Sequence, residues 1–193
     1  MRAFAEAFGI TNQTRVLDVG GTLSIWRLLE VTPRITFLNM PRGAGDCGGF
    51  DLVFASGCEM PFPDQSFDVV FSNSVIEHVG DARAQKNFAE EIRRVGRGYW
   101  VQTPNRRFPI EPHLLTPLIH WLPKSWQRRL APRFNFWRWI EQPAKDRREY
   151  YIEHYLRDIR LLDRREVAAL FPEAAIVKER WFGWTKSLVA MRR

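Results

Sequence analysis

Cysteine is nearly absent from this chain. Cys47 and Cys58 are its only two in 193 residues, and they form neither a CxxC pair nor a zinc-ligand spacing. A reducing, cytoplasmic setting is therefore the default, with each thiol reading as a small buried side chain. Long hydrophobic runs are missing too. No stretch approaches the about 18 apolar residues of a membrane-spanning helix, so none is expected. The opening MRAFAEAFGI sets an Arg and an acid within a short apolar stretch and lacks the h-region and cleavage site of a signal peptide. There are no internal repeats and no low-complexity tail. What remains is a chain with 45% hydrophobic residues, long enough for one α/β domain with a real core and short for two.

Charge is present in excess, but in one place. The net charge is +7, and residues 106–148 alone hold ten basic side chains against three acids, Glu111, Glu141 and Asp146. The remainder has 19 of each sign, so one stretch carries the whole imbalance. Residues 114–140 of the same region contain Trp121, Trp126, Trp137 and Trp139, interleaved with Arg128, Arg129, Arg133 and Arg138. Aromatic rings among cations suit an anionic membrane surface, a nucleic acid or a phosphate-bearing acceptor. The plain alternative is a cap that packs its tryptophans inward and leaves its arginines in water. The apolar LLTPLIHWLP favours a membrane or lipid-linked acceptor, and the lack of an RNA-binding module weighs against nucleic acid.

The pattern along the chain alternates between short apolar runs and helical periodicities. Helices are expected over residues 2–8, 24–30 (Ser24 as N-cap), 83–95 (apolar Phe88, Ile92 and Val95) and from an Asp163 cap through 170. Strands are expected over residues 15–19, 34–39, 51–55, 67–72 and 98–103, followed by a pair at 174–182 and 185–191 joined at Gly183. A glycine-rich loop over residues 41–49 stands where a helix would ordinarily precede the third strand. Alternation of this kind implies a parallel, doubly wound sheet. Pro104 opens a different composition, rich in Pro, Trp and Arg, that runs to about residue 158.

Two motifs carry the functional reading. Residues 62–79, FPDQSFDVVFSNSVIEHV, place a buried apolar strand before Ser72, Asn73 and Ser74, then Glu77 and His78. Polar groups at the carboxyl end of such a strand lie where open α/β sheets bind ligands. Residues 15–21, RVLDVGG, end another strand in Asp18, Gly20 and Gly21, where a missing Cβ allows close approach to a ligand.

Together these motifs resemble class I S-adenosylmethionine (SAM)-dependent methyltransferases, of the bacterial methyltransferase type 11-like subgroup. The resemblance covers roughly residues 15–103, with an echo in the final strand pair. It implies a Rossmann-like α/β fold: a doubly wound seven-stranded sheet with an antiparallel last strand. The whole chain, residues 1–193, would then be one methyltransferase domain with a helical cap inserted at about 104–158. SAM is the implied cofactor. Asp18 would orient the first loop or the methionine amino group, and Gly20 and Gly21 would pass beneath the cofactor. Asn39 stands where the family presents an acid to the ribose, and Ser56 where it presents an Asp to the adenine, with the Gly57 and Cys58 backbone beside it. Asn73 completes the cofactor set.

The site departs from the family pattern in three ways. Thr22 and Ser24 replace later glycines of the first loop, Asn39 lacks charge to assist its hydrogen bond, and Ser56 replaces the Asp. A non-catalytic binding protein on the same fold is therefore a rival reading, and an RNA methyltransferase another. His78 is the candidate general base for a hydroxyl acceptor, or simply a residue that holds its loop. The run QTPNRRFPIEPH leaves the fifth strand over the expected acceptor site, making Asn105, Arg106, Glu111 and His113 candidate substrate contacts. Glu111 and His113 are too few for a metal, so none is expected. The acceptor is expected to be a small molecule, a glycan or a lipid-linked group, with peripheral membrane contact through the basic aromatic cap.

Overall fold

Most central strands form where an apolar run follows a turn and is buried on both faces. In the computed structural model, which describes residues 1–41, 47–133, 152, 153 and 155–193, β1 (Arg15–Val19), β2 (Arg34–Asn39), β3 (Asp51–Phe54), β4 (Phe67–Asn73) and β5 (Gly96–Pro104) pair in parallel. Two short strands, β6 (Ile110–Glu111) and β7 (Thr116–Pro117), make a separate antiparallel ribbon. β8 (Ala175–Trp181) and β9 (Trp184–Arg192) close the main sheet as a hairpin, with β9 antiparallel to β5. The seven-stranded order is β3-β2-β1-β4-β5-β9-β8. Strand progression reverses between β1 and β4, and the crevice at that reversal is the ligand position of an open α/β sheet.

Helices cover both faces. α1 (Arg2–Phe8) lays Phe4 on one side, in an edge-to-face cluster with Trp26, Phe71 and Trp100. α2 (Leu23–Trp26) is a single turn, shorter than the expected 24–30, with Thr22 rather than Ser24 as its N-cap. α3 (Ala82–Val95) and α5 (Arg164–Leu170) cover the opposite face. α3 drives Phe88, Ile92 and Val95 into the core, each burial worth about 1.5–3 kcal/mol. Asp163 caps α5 through a complete capping box with Glu166. Strand ends agree with expectation to within two residues, and β5 starts earlier, at Gly96.

Asp68, the polar break in β4, lies at the strand's start, where its carboxylate accepts from the Arg15 backbone at 2.9 Å and pairs with the Arg15 guanidinium. The turn before β4 is held by Arg94 of α3, which donates to the Phe62 and Met60 carbonyls and to Asp64. The PFPD segment is thus tied to the helix that backs the crevice.

Only part of the expected cap falls within the described residues. It comprises the β6–β7 ribbon, a helical turn at Ile119–Trp121 and α4 (Lys124–Leu130), packed on a third cluster around Leu114, Ile119, Ile152 and Tyr155. Trp137, Arg138 and Trp139 lie outside the described residues. Trp121 and Trp126 are exposed, which departs from a cap that packs its tryptophans inward.

Candidate functional site

At the sheet reversal β1 ends in a turn that only glycine accommodates. Gly20 has φ +77°, and a Cβ there would meet Val75 Cγ2 at 2.6 Å. A Cβ on Gly21 would sit 1.9 Å from the Asp18 carboxylate. Asp18 therefore lies directly against this loop, unexposed, and accepts from the Trp26 indole at 2.7 Å. Its Oδ1 has no partner among the described residues, and burial pushes the carboxyl up to about 7 against the lowering effect of that indole.

Asn39, at the end of β2, donates its amide to the Gly21 carbonyl at 3.0 Å. The side chain expected at the ribose thus also fixes the glycine loop. Beyond β3, the Ser56 hydroxyl accepts from the Cys58 backbone at 3.1 Å. Gly57 lets this turn press on Phe88, since a Cβ would lie 2.7 Å from that ring. The Cys58 thiol reaches the Ala84 carbonyl, and burial pushes its pKa up.

These elements enclose a cavity of about 310 Å³ lined by Gly20, Asn39, Ser56, Gly57, Cys58, Val75 and His78, among others. The volume lies at the low end for a ligand cleft, roughly 300–1,000 Å³. A second cavity of about 690 Å³ begins one residue away. Asn73, Ser74, Gln102, Asn105, Phe108, Pro112, Trp181 and Lys186 contribute to its wall. Ser74 holds φ +57° between the two cavities and is pinned by Gln102, whose carbonyl accepts from its backbone and whose side chain meets its hydroxyl at 2.9 Å. Such a non-glycine conformation persists only where its surroundings impose it.

Several expected site residues stand elsewhere. Asp18 and Gly21 do not line the smaller cavity and act beneath it. Asn73, expected at the cofactor, lines the larger cavity instead, because β4 extends one residue further and carries it past the crevice. Arg106 turns away from both cavities and pairs with Asp163 at 2.9 Å and Glu166 at 3.2 Å, completing the cap of α5. Asn105 lines the larger cavity, but its amide is committed at both ends, to the Thr185 carbonyl and the Arg107 backbone. Glu111 is wholly buried and supports His113 rather than facing a ligand.

Glu77 is a candidate functional residue that the sequence left without a role. It is wholly buried; its Oε2 accepts from Thr103 Oγ1 at 3.0 Å, and its Oε1 has no partner among the described residues. Burial pushes it up to about 7, against the lowering effects of its hydrogen bonds and of His113. Next to it, His78 Nε2 lies 3.2 Å from His113 Nε2, and His113 Nδ1 lies 2.7 Å from Glu111 Oε1. The 35-residue separation of the two histidines hid this arrangement from the sequence. A signal was present in the acid-histidine pair of EHV and the second acid-histidine pair of IEPH.

Comparison with known proteins fits the geometry. Residues 24–98 match the family model described as a methyltransferase domain. No curated relative matches the chain. Among solved structures, a Rhodobacter sphaeroides protein provisionally described as a Zn-dependent alcohol dehydrogenase aligns over 99% of this chain and 88% of its own, at 12% identity and TM-score 0.65. A protein from Pyrococcus horikoshii OT3 aligns over 98% and 85%, at 12% identity and TM-score 0.59. A SAM-dependent methyltransferase from Methanosarcina mazei aligns over 97% and 95%, at 11% identity and TM-score 0.55. At such identities these structures carry the fold, and the matching family model carries the domain.

Proposed function

We propose that this chain, a class I SAM-dependent methyltransferase, methylates a hydroxyl on a small-molecule, glycan or lipid-linked acceptor held in the 690 Å³ cavity. The observation that carries the reading is the two cavities on successive residues, Val75 facing the smaller and Ser74 the larger. The smaller suits SAM: glycines bring backbone to its wall, and Asn39 and the turn of Ser56, Gly57 and Cys58 offer polar groups to the ribose and adenine. When bound, the cofactor supplies an electrophilic methyl group on a sulfonium.

The chain's own task is alignment and removal of the acceptor proton. His78 lines the cofactor cavity, while Pro112, between Glu111 and His113, lines the larger one. Glu111 accepting from His113 Nδ1 leaves His113 Nε2 to accept from His78 Nε2. In that tautomer Nδ1 is the basic nitrogen of His78, the one to take the acceptor proton. Calorimetry with SAM and S-adenosylhomocysteine tests the cofactor half, and labelled SAM with fractionated small-molecule, glycan, lipid and RNA pools tests the acceptor half. His78→Ala should lower turnover about a hundredfold or more while SAM affinity stays nearly unchanged. Transfer to RNA alone would overturn the acceptor class, and wild-type turnover in the variant would remove His78 from the chemistry.

A membrane-bound acceptor is favoured by the β8–β9 turn, where Trp181, Phe182 and Trp184 are 51%, 85% and 57% exposed and Phe108 of the larger cavity packs against Trp181. Exposed rings beside Lys178, Arg180 and Lys186 suit the surface of an anionic bilayer, at the cytoplasmic face of the membrane. Co-sedimentation with phosphatidylglycerol vesicles should fall when all three rings become Ala and should weaken with salt. Equal binding by the triple variant would refute the contact.

A further inference from the structure

Glu77, His78 and His113 each place one ligand atom within 4.8 Å of the others. The sequence offers no metal motif, because Glu77 and His78 follow β4 while His113 follows β6, and only the fold joins them. The two imidazoles meet edge to face, ring centroids 5.0 Å apart, with Nε2 atoms separated by 3.2 Å. Two nitrogens each about 2.0–2.1 Å from one tetrahedral Zn²⁺ stand roughly 3.3 Å apart. The observed spacing is that of two ligands of one ion.

Two further features point the same way. Glu111 is wholly buried and holds His113 Nδ1 at 2.7 Å, while its other oxygen accepts from the Leu114 backbone at 2.6 Å. A carboxylate behind a histidine fixes the ring and its tautomer and leaves Nε2 as the donor atom, the usual outer-shell support of a zinc ligand. Glu77 Oε1 is buried without a partner among the described residues. An orphaned carboxylate oxygen is costly in an apolar setting, and a cation satisfies it.

We propose that Glu77, His78 and His113 bind a divalent transition-metal ion, Zn²⁺ or one of similar preference, with Glu111 orienting His113. Two imidazoles and a carboxylate are ligands for zinc or cobalt rather than for magnesium or calcium. Three protein ligands leave the fourth position open, as in catalytic rather than structural zinc sites. Of the three ligands, His78 lines the smaller cavity, so an ion held here would stand beside its wall. The site stands on its own geometry. It rests on the proposed acceptor chemistry only in that a bound ion would acidify the hydroxyl in place of His78.

The tautomers separate the two roles. Proton relay keeps hydrogen on His78 Nε2, whereas coordination moves it to Nδ1, and the nitrogen NMR shifts of a histidine-labelled protein distinguish them. The decisive experiment is binding, which needs no acceptor. Chelator-treated protein is titrated with Zn²⁺ by calorimetry and with Co²⁺ by visible absorption. Stoichiometric uptake with a tetrahedral Co²⁺ spectrum is expected. Glu77→Gln and His113→Ala should each weaken affinity about a hundredfold, and Glu111→Gln by roughly 10–100-fold. Glu77→Gln retains an acceptor for Thr103, so it keeps the test open if His113→Ala fails to fold. Cys47→Ser, outside the cluster, should bind as wild type. Absence of stoichiometric uptake, or wild-type affinity in both Glu77→Gln and His113→Ala, overturns the site. Metal binding without methyl transfer leaves the site standing and sinks the proposed function alone.

Discussion

Replacing Asp18 by Asn should flatten the dependence of stability on pH. The carboxyl is unexposed beneath the glycine loop, with one oxygen on the Trp26 indole and the other without a partner among the described residues. Burial raises its pKa from 3.8 to about 7. The unfolded chain releases this proton near the ordinary value, so the folded state holds it longer. Stability from this group is therefore complete below the unfolded value and is lost as pH rises through about 7. At about 1.36 kcal/mol per unit, a shift of roughly three units amounts to about 4 kcal/mol between acid and mildly alkaline solution. Asn keeps an oxygen for the Trp26 donor and cannot ionise. Its nitrogen, placed where Oδ1 now stands, costs about 1–3 kcal/mol at every pH if no acceptor meets it. The variant should thus be weaker than wild type near pH of about 4 and equal or stronger near about 8. Urea unfolding across that range reads the difference directly. Parallel stability curves would refute the reasoning, because they would mean that Asp18 is ionised in the folded protein and that the loop supplies donors to Oδ1.

Gly21→Ala should bring a methyl group against the Asp18 carboxylate, which Trp26 holds in place, so the loop must shift. SAM affinity by calorimetry should fall on the order of tenfold or more, and unchanged affinity would mean that this loop does not meet the cofactor. Asp163→Ala removes the capping box of α5 and a carboxylate that holds Arg106. A loss of about 1–2 kcal/mol in urea unfolding is expected, and no loss would show that the cap contributes nothing.

The expected fold and the observed one agree most closely where local chemistry is strongest. β1 and β2 occupy the expected residues because short apolar runs between turn formers have one way to be buried. Asp163 caps its helix because the acid three residues later answers the N-cap backbone. α2 ends early, after Trp26, although its apolar pattern continues. Trp26 is drawn into the aromatic cluster and onto Asp18, and tertiary contacts decide where that helix stops.

Strand periodicity, the glycines after β1 and the small polar residues after β4 were enough to determine a doubly wound sheet with its ligand crevice at the reversal. Those features act between near neighbours, through backbone freedom and alternating burial. What each polar side chain does was settled only by the folded chain. Arg106 is spent on a helix cap, Asn73 faces the larger cavity, and Asn39 holds the loop that it was expected to accompany. The Glu77, His78, His113 and Glu111 cluster depends on β5 returning the chain over the end of β4. Contacts between distant residues are set by topology and packing, and spacing along the sequence does not carry them.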